Sequence, residues 1–139
     1  AYSAVELSKY IVTKCANDKC PITNLQLQKI LYYIQKDYLS RNELAFDDLF
    51  EAWQFGPVIR QVYYYFCGNG AMPIISKYDT VIDKSDRCHV DPIVEEKRKL
   101  DPWDLVEDTH KQGRAWSKVF NHGQGNKHII DNDLIRRLG

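Results

Sequence analysis

Asp108, Thr109, His110 and Lys111 form the run of side chains in this chain best suited to moving protons. A helix opened at Asp101-Pro102 puts Thr109 and His110 on one arc with Trp103, Leu105 and Val106. A histidine on such an arc is usually hydrogen-bonded within a core, and the threonine hydroxyl can bond back to the carbonyl four residues earlier. An enzyme would instead need an open cleft at His110 with a perturbed carboxylate beside it. No serine sits in a nucleophile elbow, and Cys15, Cys20, Cys67 and Cys88 lack CxxC pairing or a catalytic signature. Cys88-His89, His110, His122 and His128 match no zinc spacing. The stretches CGNGAMP and NHGQGNKH read as turns, because neither has a nucleotide-binding fingerprint. No catalytic residue, metal ligand or cofactor is therefore expected.

Charge narrows the partners. The 139 residues carry 19 acidic and 19 basic side chains, and phosphate backbones call for a clustered basic excess. Nucleic acid is accordingly disfavoured, and no apolar run reaches membrane-spanning length. The length suits a single domain over residues 1–139, large enough to bury a core without disulfides or a structural metal. Free thiols and the lack of a signal-peptide pattern suggest a cytoplasmic protein.

The elements that must position these residues are mostly helices. Ser3 and Glu6 read as a capping box for a helix running to about Asn17, with Ala4, Leu7, Ile11 and Cys15 inward. After Pro21, Thr23 and Gln26 open a second helix whose stripe is Leu27, Ile30, Leu31, Ile34 and Tyr38. Leu25, Tyr32 and Leu39 recur every seven residues on nearly the opposite side. That pattern means either a helix sandwiched between other elements or a strip facing a partner. The first two helices also allow a helix-turn-helix reading, which Gln26, Gln28, Lys29, Lys36 and Arg41 serve poorly, being scattered around the second.

LFEAWQF, residues 49 to 55, lacks helical period and reads as a short strand or an irregular connection. Gly56-Pro57 reads as a helix start, with glycine as cap and proline at the first position. On a helix from Pro57 to Phe66, Val58, Ile59, Val62, Tyr63 and Phe66 share a face, while Tyr64 points away. Residues 76–91 read as a surface loop with one strand around 80–82. Asp91-Pro92 and Asp101-Pro102 then open short helices near 92–99 and 102–111. A further helical turn follows around Trp116, and Asp131 caps a last helix ending in Arg136 and Arg137. The expected fold is mainly α, with about six helices and at most a small β element.

The aromatic run is what remains. Trp53, Phe55, Tyr63 and Phe66 fit a core, yet tyrosine and tryptophan also anchor interfaces because they bury large area at low entropy cost. A neutral chain without a reactive centre but rich in such residues reads as a protein-binding module.

The order of motifs resembles a known family. ITNLQLQKILYYIQKDYLS, then FDDLFEAWQFGPVIRQVY, then WDLVEDTHKQGRAW, look like the Panacea antitoxin domain, also described as SocA-like or GepA-like and phage-associated. The resemblance runs from about Val5 to Leu138 and leaves 67–92 unaligned. It implies a helical antitoxin of bacterial or phage origin that neutralises a cognate toxin by direct protein–protein binding. Carried over by position, the signature residues are Leu27, Lys29, Tyr32, Trp53, Gly56, Pro57, Val58, Tyr63, Thr109, His110 and Trp116. The expected partner-binding set is Tyr32, Trp53, Phe55, Gly56, Pro57, Tyr63, Tyr64, His110 and Trp116, with Trp53 and Trp116 in one platform. The alternatives are an adaptor presenting a toxin or phage protein to a protease, with Leu25, Tyr32 and Leu39 as its second face, and a DNA-binding autoregulator.

Overall fold

A computed structural model describes residues 1–139. Its first helix, α1 (Ala4–Asn17), starts where the Ser3 hydroxyl accepts the Glu6 N–H, and it buries Leu7, Ile11, Val12 and Cys15. Helix α2 (Asn24–Ser40) opens with both halves of the Thr23–Gln26 capping box in place. Its Leu27, Ile30, Leu31, Ile34 and Tyr38 are all buried, as are Tyr32 and Leu39 on the other side. The sandwiched reading of α2 is therefore correct, and of the strip offered as a partner-facing surface only Leu25 is partly open. Helices α1, α3 (Arg60–Phe66), α4 (Lys84–Lys97), α5 (Pro102–Thr109) and α7 (Asn132–Leu138) and strand β2 (Gly56–Val58) all pack against α2.

A central helix creates a polar problem, because every irregular segment crossing it must find partners for its backbone. Side chains of α2 supply them. Asn24 donates to the Tyr63 carbonyl at 3.1 Å, and Gln28 accepts the Ile59 N–H at 2.9 Å. Gln35 both donates to the Phe46 carbonyl and accepts the Ala45 N–H, each at 2.9 Å. Lys29 donates to the Phe55 carbonyl. All four side chains are buried. Together they hold the chain from Ala45 to Tyr63 against the helix.

That segment forms β1 (Phe50–Trp53), β2 (Gly56–Val58) and α3 (Arg60–Phe66). β1 pairs antiparallel with β2 and, on its other edge, with β3 (Ile129–Ile130), in the order β2-β1-β3. The expected helix start at Gly56-Pro57 is thus replaced by a hairpin, with Ala52 opposite Pro57 and Trp53 opposite Gly56. Proline tolerates this place because β2 is an edge strand. The helix begins three residues later, at Arg60.

The second departure lies in the unaligned region. Residues 84–91 belong to α4 (Lys84–Lys97), with Pro92 inside it, and no strand forms at 80–82. Asp91 does not cap a helix, since it accepts the Tyr10 hydroxyl at 2.7 Å. Asp86 on the same helix accepts from Tyr2 at 2.8 Å and from Tyr38 at 2.6 Å. These tyrosine–aspartate bonds, with Val90 and Val94 buried, anchor α4 despite its proline. The chain closes with α5 (Pro102–Thr109), α6 (Ala115–Phe120) and α7 (Asn132–Leu138), the last capped by Asp131 as expected. The fold is mainly α, with seven helices and one small sheet. No helix is long and apolar enough to cross a membrane.

Candidate protein-binding site

The β1–β2 hairpin carries the aromatic residues, and its turn rests on a buried amine. Lys29 is 0% exposed and donates to the Phe55 carbonyl, with no carboxylate within ion-pair distance. Burial alone pulls its pKa from 10.5 to about 7. Gly56 has φ +119, a conformation side chains resist, and a Cβ there would collide with Lys29 Nζ and stand 3.3 Å from Thr109 Oγ1. Glycine is favoured by the positive φ itself, and the lysine head packed against its Cα adds to the crowding. Thr109 is buried and donates to the Val106 carbonyl at 3.0 Å, three residues back rather than the four expected.

His110 ends α5 beside this knot. Its ring stacks on Trp116 with centroids 3.7 Å apart, and Trp116 stacks in turn on Phe120 at 4.6 Å. Burial and the nearby Lys29 charge lower the His110 pKa, while the Phe55 carbonyl opposes that shift. Trp116 Nε1 donates to the Trp53 carbonyl at 2.8 Å, so the two tryptophans do belong to one assembly. His110 also lines an open cleft of about 630 Å³ between the α5–α6 turn and the end of α6. The ionisable side chains that share it with His110 are Lys118 and His122, whereas an acid–base enzyme of the kind considered needs a carboxylate. No carboxylate lines the cleft.

Lys29, Gly56, Thr109, His110 and Trp116 thus meet around one turn. A scan against protein-family models matches residues 27–117 to the "Antitoxin SocA-like, Panacea domain". The chain belongs to the SocA-like Panacea family. It is also 38% identical over 72 residues to Antitoxin SocA of Caulobacter vibrioides (strain NA1000 / CB15N). That alignment covers 51% of this chain and 38% of the relative, so it spans well under half of the longer protein. No solved structure matches the chain.

In this Panacea domain the residues expected to bind a partner divide by depth. Tyr32 is 1% exposed, edge-on to Phe50 at 5.2 Å, and burial raises its pKa to about 12. It builds the core and offers no surface. Gly56 and Pro57 are likewise buried, and Trp116 nearly so. Phe55 and Tyr64 are about half exposed, at 50% and 53%, and Tyr63 reaches the surface as well. Trp53 is half-buried under Tyr63, at 5.0 Å, with the Tyr64 ring at 6.4 Å. Its indole N–H is fixed by Glu51 at 2.9 Å, and Glu51 is held by both arms of Arg60 at 3.0 Å. The Arg60 guanidinium and Lys127 lie 5.8 and 5.1 Å from the indole centroid.

Trp103 is the residue that sequence reasoning missed. It is 57% exposed and meets Phe55 edge-to-face at 5.6 Å. The signal was its place one residue after a proline at a helix start, where the first turn commonly faces solvent. Its place on the apolar arc with Leu105 and Val106 gives no hint of this exposure. The DNA-reading alternative loses its helix, since α2 is central and buries Gln28 and Lys29.

Proposed function

We infer that this chain is an antitoxin that neutralises a cognate toxin by binding it on the aromatic face of the β1–β2 hairpin, α3 and α5. The carrying observation is two aromatic clusters, Trp103–Phe55 and Trp53–Tyr63–Tyr64, in which Trp103, Phe55, Tyr63 and Tyr64 are open to solvent on a hydrogen-bonded base. Clustered exposed aromatics of this kind mark sites where another protein docks. Family membership supplies the class of partner, and binding in the cytoplasm without any bond made or broken is the mechanism. The base is rigid because Lys29, Gln28 and Trp116 each tie it to helices. Little conformational freedom is then lost when the partner arrives.

Co-expression of the chain with the toxin encoded beside it tests this reading. Growth rescue should fail when Tyr64 and Trp103 are both replaced by alanine, with the fold intact by circular dichroism. Rescue at the wild-type level by that double variant would refute the chosen surface. Alanine at Tyr32 tests stability only, because its side chain is internal. The protease-adaptor alternative has lost its proposed second face, as Tyr32 and Leu39 are buried.

A further inference from the structure

A second surface emerges from cations that lie far apart in sequence. Lys36 on α2, Arg114 before α6, and Arg136 and Arg137 on α7 line a bowl of about 430 Å³. It adjoins the His110 cleft, sharing Gln112 and Gly113, and that cleft adds Lys118 and His122. No carboxylate side chain lines either concavity, in a protein whose charges otherwise balance at 19 and 19. Lys36 has no ion-pair partner, and burial together with Arg114 depresses its pKa. Arg114 donates to the Gly139 carbonyl at 2.9 Å and stands 3.9 Å from Asp108, an aspartate already engaged by Tyr33. Arg136 and Arg137 share the single carboxylate of Asp133, at 2.6 and 3.1 Å.

We propose that this bowl binds a short acidic segment of a protein partner, whose carboxylates pair with Lys36 and Arg114 while Arg136 and Arg137 hold its rim. Guanidinium groups match carboxylates in fork geometry, and a partly desolvated lysine gains most from a new counter-charge. A polypeptide fits better than a nucleic acid for three reasons. The bowl holds a few side chains rather than tracking an extended backbone. The faces of Trp116 are already covered by His110 and Phe120, so no broad platform is open to bases. A regular polyanion would also run past the bowl onto a surface of balanced charge.

The proposal stands apart from the antitoxin reading and is tested without any toxin. The whole chain is titrated into a fluorescein-labelled dodecapeptide of alternating glutamate and glycine, followed by anisotropy at ~50 and ~200 mM salt. A glutamine-for-glutamate peptide and a charge-matched oligothymidylate serve as comparators. Binding of the acidic peptide should weaken with salt and fall at least about tenfold in the Lys36→Gln/Arg137→Gln double variant. Lys36→Arg should restore it, while Lys9→Gln and Trp103→Ala should leave it unchanged. No binding by wild type at low salt overturns the proposal. So does equal binding by the double variant, or tighter binding of the oligonucleotide. Loss on Trp103→Ala would move the acidic site to the aromatic face and overturn it as well.

Discussion

Replacing Lys29 with methionine tests the buried amine on which the hairpin rests. Met keeps the length and apolar stem of lysine and removes only the titrating head. In the unfolded chain the lysine holds its proton to about pH 10.4, whereas in the fold it releases it at about 7. Between those limits the unfolded state binds the extra proton, so wild-type stability must rise with pH. Below pH 7 both states are protonated and the burial cost is present in full. At ~1.36 kcal/mol per pH unit across that window, the gain from pH 6.5 to 9.5 is about 3 kcal/mol. Stopping at 9.5 stays below the titration of Tyr10, Tyr33 and Tyr38, whose pKa values are all raised by burial and aspartate neighbours. Urea unfolding of wild type and Lys29→Met at half-unit pH steps gives the comparison. The difference between the two curves should grow by about 3 kcal/mol in favour of wild type as pH rises. Parallel curves would mean that Lys29 keeps an ordinary pKa, and the account of the knot beneath Gly56 would fail.

Gly56→Ala should cost at least about 2 kcal/mol in the same assay, since it combines a positive φ with a collision on the lysine head. His110→Phe retains a ring to stack on Trp116 and removes the low-pH liability. The wild type, whose folded imidazole has a lowered pKa, should lose stability as pH falls below about 6.5, and the variant should lose less. Gln28→Leu leaves the Ile59 N–H without its acceptor and should cost about 1–3 kcal/mol by urea unfolding, against ~0.5 kcal/mol or less for Tyr64→Ser at the exposed face.

Helices α1 and α2 were legible from the sequence because caps and a 3.6-residue stripe agreed at both starts, and the structure places them within a residue of expectation. The hairpin was not. Gly-Pro is a good helix opener locally, but here it is paired antiparallel with β1 and its turn is bonded by Lys29 from α2, contacts visible only in three dimensions. Helix α4 was hidden by the aspartate-proline rule, which assumes a proline begins a helix. Tyrosines from α1 and α2 hold this one through its proline. The role of Lys29 and Gln28 could have been suspected, because a helix apolar on two sides leaves its intervening polar residues little solvent. The joining of Trp53 to Trp116 followed from motif order, whereas the exposure of Trp103 had only the weak signal of its place in a first helical turn, against its position on an apolar arc.

The support given by α2 reaches the main chain of residues 45–63, while the outward rings touch mainly one another. Phe55, Tyr64 and Trp103 can therefore be exchanged for other shapes without rewriting the frame that displays them. Under the proposed toxin-binding reading, such a division makes the domain a mount for interchangeable fittings, and libraries randomised at these three positions are the direct route to retargeting it.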